Sequence, residues 1–284
     1  MADEHREDDD GGAYVALGDS ISIDDYAGGP GRGGASLLAR NRDGDFPSWH
    51  GHDLGRRQVH LLATDGATSR TLLDEQVPRL ERSGVRPSIV TLTIGGNDLL
   101  GRYGDTAGAV EAADEAVTRA DRALGRLRGL AGPDVRMVLG TVYDPSDGTA
   151  DAARVGLAPW PEVVEVLAHL NAALRQLAER RGVAVADIHT KFLGHGLTTG
   201  NPAQADPRPS DRNLWYCNVI EPNAWGASAV REAFWEALGY QSPPPDVPAT
   251  VPARPGETQN RPTGCRGEPL RAATRRASPH GSSG

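Results

Sequence analysis

Short apolar runs rich in Val, Ile and Leu alternate along most of the chain with longer stretches whose apolar residues recur at three- and four-residue spacing. Strands are predicted at Ala13 to Leu17, Val59 to Ala63, Ser88 to Ile94, Arg136 to Val142 and Val183 to Ile188. Helices are predicted between them, at Ser69 to Arg82, Ala107 to Leu130 and Pro161 to Arg181, with a last one at Asn223 to Leu238. In the third of these, Val163, Val166, Leu167, Leu170, Leu174 and Leu177 fall on one face. Apolar strands separated by helices need both faces of a parallel sheet covered. The pattern therefore predicts an α/β fold, a three-layer α/β/α sandwich on a five-stranded parallel sheet, in one domain spanning residues 13–240 without a linker-like break.

Composition adds the flanks and excludes several partners. Residues 1–12 form an acidic run, and residues 241–284 are dense in proline and then in arginine and serine. Neither can bury enough apolar surface to offset the entropy of ordering, so both are predicted to be disordered tails. A formal net charge of −8 argues against nucleic acid or an anionic membrane as partner, because both require a concentrated positive face. No segment is apolar enough to span a membrane, and the acidic start is unlike a secretory signal, so a cytoplasmic location is expected.

The cysteines, Cys217 and Cys265, are too few for a disulfide framework. No cofactor or metal is expected: His50-Gly51-His52-Asp53 lacks a further ligand cluster, and Gly29 to Gly34 fits the dinucleotide glycine spacing without following a strand. Residues 24–48 are read instead as a lid over the site.

Three strand ends carry the chemistry. The first runs into Gly18-Asp19-Ser20, the second into Ala63 to Ser69 with Gly66 at its turn, and the third into Gly95-Gly96-Asn97-Asp98. A parallel sheet delivers all three to its carboxyl edge, where open α/β sheets hold ligands. Acyl transfer needs a hydroxyl nucleophile and donors aimed at the oxyanion, and a glycine N–H and an asparagine amide supply such donors.

In these blocks and their order the chain resembles the SGNH, or GDSL-like, hydrolases over residues 13–240. The resemblance implies their flavodoxin-like sandwich and a serine esterase acting on a small-molecule ester without a cofactor. It implies Ser20 as nucleophile, and an oxyanion hole from the Ser20 N–H, the Gly66 N–H and the Asn97 side chain. The last block departs from the family, which places an Asp and a His three positions apart before the final helix. Here Asn218 stands at the Asp position and Glu221 at the His position, just ahead of Pro222.

The two changes are coherent as a pair. Asp with neutral His carries one negative charge at rest and none after taking the serine proton, and Asn with Glu gives the same totals. A carboxylate is the weaker base by about two pKa units, so such an enzyme is slow unless its base is desolvated. Glu221, positioned by Asn218, is the first candidate base; His195 and His189, both after the fifth strand, are alternatives. A non-catalytic binding module that kept the fold and lost the base is the rival reading. Trp215, Tyr216 and Trp225 either wall an acyl pocket or pack under the last helix, and Arg231 either meets an anionic substrate or forms a salt bridge. The oligomeric state is left open.

Overall fold

The computed structural model describes residues 12–244, so almost all of both expected tails, and Cys265, lie outside the described residues. Five strands, β1 (Ala13–Gly18), β2 (Gln58–Leu61), β3 (Pro87–Thr93), β4 (Arg136–Gly140) and β5 (Ala184–Ala186), form one parallel sheet in the order β2-β1-β3-β4-β5. β1 is buried throughout and its side chains alternate between two cores with the two-residue period of a strand. Val15 and Leu17 join Val90, Leu92, Leu124, Leu170 and Leu174 on one face. Tyr14 and Ala16 join Ile89, Val138, Leu37, Leu38, Val230 and Phe234 on the other. This is the predicted three-layer sandwich.

The first core is closed by α5 (Thr106–Ala131) and α6 (Val163–Arg181), which pack side by side. Ala109, Ala113, Ala116, Ala120 and Ala123 line the buried stripe of α5, and their small side chains let the two helices approach closely. The Asp105 side chain caps α5 by accepting from Gly108 N, and Gly182 ends α6 in a left-handed turn. The second core is closed by α1 (Gly34–Ala39), α7 (Ile188–Phe192) and α8 (Ala224–Ala237), the last capped by Asn223 through Trp225 N and Gly226 N.

The helix predicted at Ser69 to Arg82 is built in three pieces. α2 (Ser69–Thr71) passes through a π-helical turn, Leu72–Gln76, into α3 (Val77–Ser83). Pro78 has no N–H and its ring crowds the carbonyl four residues back, and the wider π register absorbs that conflict.

Besides α1 and α7, three elements beside the sheet edge were not predicted. A short helix, α4 (Gly96–Leu100), follows β3, and an antiparallel pair, β6 (Tyr216–Cys217) and β7 (Glu221–Pro222), precedes α8. The predicted lid at residues 24–48 is corrected: its α1 is buried from end to end against α8, so the middle of the segment belongs to the second core. Its glycine-rich turn is tied by the Asp24 carboxylate, which accepts from Gly31 N and Gly33 N at 2.8 Å each. No helix among the described residues is long and apolar enough to cross a membrane.

Candidate active site

β1 ends at Gly18, whose φ of +117° is open to glycine, and a Cβ there would stand 1.8 Å from the Thr93 carbonyl oxygen of β3. That close approach lets the chain turn at the sheet edge, where Asp19 caps the single 3₁₀ turn Ser20–Ser22. Asp19 Oδ1 accepts from Ile21 N at 3.2 Å and from Thr93 Oγ1 at 2.8 Å. Burial raises its carboxyl pKa to about 7, these hydrogen bonds pull the other way, and the Asp98 charge adds a smaller push upward. Ser20 is buried apart from a small exposed fraction of 7% that opens to a cavity.

The Gly66 turn and the Asn97 segment are tied to this edge and to each other. Gln76, carried by the π turn, accepts from Gly18 N and donates to Gly18 O, both at 2.8 Å, and donates to Thr64 Oγ1 at 3.2 Å. Thr64 N in turn donates to Gly18 O. Gly66 is exposed with φ +67°, and nothing stands within 4 Å of a Cβ there, so the left-handed backbone alone calls for glycine. Asn97 Nδ2 donates to Ala67 O at 3.0 Å, leaving its second amide hydrogen for another acceptor. Asp98 accepts from Ser69 N at 2.9 Å and from Ser69 Oγ at 2.6 Å, with Arg119 Nη1 3.9 Å away. Burial is the largest influence on Asp98 and raises its pKa against those bonds.

Ser20 and Asn97 line one cavity of about 140 Å³, whose walls come from α4, the segment after β4 and the start of α6. Those walls were missed in the sequence, where Val155, Leu157 and Trp160 lie in a loop too irregular to show a period. Val219 and Ile220, from the turn joining β6 to β7, complete the lining near Ser20.

That turn is strained. Asn218 and Val219 have φ +44° and +75°, a rare conformation for a β-branched residue, and Tyr143 Oη donates to Ile220 O at 2.6 Å. Glu221 follows, 7% exposed, on a strand that packs against the Ser20–Ser22 turn. Burial above all, and then the charge of Glu221, holds the Tyr143 hydroxyl protonated. Tyr26, bonded to Asp65 Oδ2 at 2.9 Å beside Gly66, also senses Glu221. The carboxylate thus lies among groups that border Ser20 on one side and the Gly66 turn on the other. Asn218 tolerates the left-handed turn ahead of Glu221, and its carbonyl accepts from Ile220 N at 3.0 Å.

The alternative bases are His189, whose Nδ1 contacts Val142 O at 3.1 Å, and His195, which stacks on Trp215 at 3.5 Å with Nδ1 2.7 Å from Asn213 O; like Glu221 and Gly66, neither lines the cavity. Trp215 and Trp225 do not wall it either. Trp225 packs edge-on to Phe46 with Arg212 over its ring, and Tyr216 packs on Phe192 and Tyr143. Arg231 is not placed for a substrate: it is fully buried, donates to Asn41 Oδ1, and lies over Trp49 at 3.8 Å. His50 pairs with Asp43 at 2.7 Å, and among the described residues no group of three His, Cys, Asp or Glu is gathered to hold a metal.

A doubly covered parallel sheet with serine, glycine and asparagine at its carboxyl edge defines a class of hydrolases, and the comparisons with known proteins specify it. Residues 16–228 match the GDSL-like lipase/acylhydrolase family, and the chain belongs to that family. A lipase from Streptomyces rimosus is 27% identical over 212 residues, covering 66% of this chain and 74% of that protein. Among solved structures, the lipase Lip_vut3 from a goat rumen metagenome superposes with a TM-score of 0.54 at 17% identity, covering 81% of this chain and 98% of its own. Axe2, an acetylxylan esterase from Geobacillus stearothermophilus, gives 0.55 at 16% identity, covering 81% and 96%. At such identities these likenesses establish the fold, and the family supports ester hydrolysis in general.

Proposed function

We propose that the protein is a serine esterase working through an acyl-enzyme on Ser20 with Glu221 as its general base. The carrying observation is that Ser20 and Asn97 open on one cavity while the buried strand holding Glu221 packs against the Ser20 turn. The Ser20 Oγ bonds the substrate carbonyl carbon as Glu221 takes its proton. The resulting oxyanion is met by the Ser20 and Gly66 N–H groups and the Asn97 amide. Collapse expels the alcohol, which recovers the proton from Glu221, and water repeats the sequence to release the acid and restore Ser20.

A carboxylate base suits this setting because a neutral Glu, formed once the proton has moved, is the cheaper state in a buried site. A base of this kind contributes about 10²- to 10⁴-fold. Ser20→Ala is expected to abolish both hydrolysis of a 4-nitrophenyl ester and labelling by an active-site phosphonate followed by mass spectrometry. Glu221→Gln is expected to lower kcat by about 10²-fold or more. Full activity in Glu221→Gln alongside a dead Ser20→Ala would remove Glu221 from the mechanism, and a loss in His189→Ala would move the base there. No labelling of the parent protein at any phosphonate concentration would leave the non-catalytic binding module as the reading.

A further inference from the structure

Resting on the hydrolase reading, we infer that the substrate's acyl part is an aliphatic chain of medium length housed in the cavity beside Ser20, and not an acetyl group carried on a sugar. An acetyl group needs room for one methyl beyond the carbonyl. Here the space bordered by Ser20 and Asn97 is also lined by Leu100, Tyr103, Trp160 and Leu167. An apolar cavity of about 150 Å³ accommodates a benzene-sized group, so one of about 140 Å³ with an open mouth suits a chain of roughly six to eight carbons.

The polar atoms along the wall argue the same way. Away from the Ser20 end the lining has five polar side chains among the described residues, Tyr103, Tyr143, Asp144, Ser146 and Trp160, and each is engaged within the protein. Tyr103 Oη donates to Ala158 O at 2.7 Å, Tyr143 Oη to Ile220 O at 2.6 Å, and Trp160 Nε1 to Thr106 Oγ1 at 2.9 Å. Asp144 folds onto its own loop, accepting from Ser146 N, Ser146 Oγ and Gly148 N at 2.7 to 2.9 Å. Sugar hydroxyls entering here would exchange water for few free partners, whereas each methylene gains by leaving water.

The wall is also held in place. Asp147 accepts from Gly194 N and from Thr198 N, both at 2.9 Å, and Arg154 donates to Leu197 O at 2.9 Å, binding the segment after β4 to the loop after α7.

The test compares kcat/KM for 4-nitrophenyl acetate, butyrate, octanoate and palmitate and for an acetylated xylooligosaccharide. Burial of a methylene is equivalent to roughly three- to fourfold, and incomplete burial still leaves octanoate ahead of acetate by at least about tenfold. Val155→Trp, on a half-exposed turn of the wall, is expected to cut the octanoate-to-acetate ratio by about tenfold or more, and Ala152→Trp repeats the measurement should the first variant misfold. Acetate or the acetylated sugar turned over as well as octanoate, or a ratio untouched by folded variants, would overturn the inference.

If no ester is turned over, the hydrolase reading fails separately. The chain site is then read by tryptophan fluorescence of Ser20→Ala titrated with the same esters. Tighter binding of octanoate than acetate by about tenfold, lost in Val155→Trp, upholds the site. Equal binding removes it.

Discussion

A carboxylic acid that keeps its proton to about pH 7 lies next in sequence to Ser20, the proposed nucleophile. Asp19 is held in that state by burial, and its proton spares the adjoining site a second negative charge beside Glu221. The same proton links stability to pH. The folded carboxyl titrates near 7 and the unfolded one near 3.8, so the folded state binds the extra proton between those values. The stability this supplies is full below about pH 3.8 and is lost as pH rises through 7. Asp19→Asn escapes the loss while retaining an acceptor for Ile21 N and Thr93 Oγ1. Relative to the parent, the variant should gain stability between pH 4 and pH 8, by at most about 4 kcal/mol, in urea unfolding at the two pH values. A difference that does not change with pH would refute the assignment. Tyr143 acts on the opposite side of Ser20. Tyr143→Phe removes the bond that restrains the left-handed Asn218-Val219 pair, and we expect about 1 kcal/mol of lost stability with a kcat several-fold lower.

Elements place these residues, and the elements differ in how plainly the sequence announces them. The strand and helix patterns predicted β1, β3, β4, α5, α6 and α8 to within a few residues, because these strands are apolar runs buried on both faces and α5 and α6 bury one face over a long run. α1 left none: its residues Gly34–Ala39 are buried on every side, so no polar face marks the helix. β6 and β7 are two residues each, too short for alternation to register. The cavity wall is a loop of Gly, Asp, Pro and Ala in which the apolar residues follow no period, so the cavity was invisible in the sequence although the Ser20 motif was not. The π turn illustrates a role the sequence hides. Gln76 interrupts an otherwise apolar stripe and reads as a surface residue, yet it is 3% exposed and joins the ends of β1 and β2. Gln76→Leu leaves Gly18 N without this partner in the interior. We expect a loss of about 2 to 3 kcal/mol by thermal unfolding and a larger proportional loss of kcat than in an equally destabilised core variant such as Leu80→Ala.

At the scale of the molecule, the candidate site lies at one edge of the sheet and the two cores lie on its faces. The carboxyl ends of β1, β2 and β3 carry Ser20, Gly66 and Asn97, and the end of β4 leads to Tyr143 and the cavity wall. Among the described residues, both cores lie between sheet and helices. This division was legible from the order of strands and motifs, since a parallel sheet sends every strand end to one edge whatever its loops contain. It also sets an expectation for the whole chain. A protein consisting of residues 12–244 should unfold in one cooperative transition and retain kcat/KM on 4-nitrophenyl esters within about twofold of the full chain. Circular dichroism melting with the ester assay on the same samples would measure both. A shortened protein that folds as well as the parent but loses activity would mean that one of the flanking segments reaches the site, and the lining of the cavity would then have to include it.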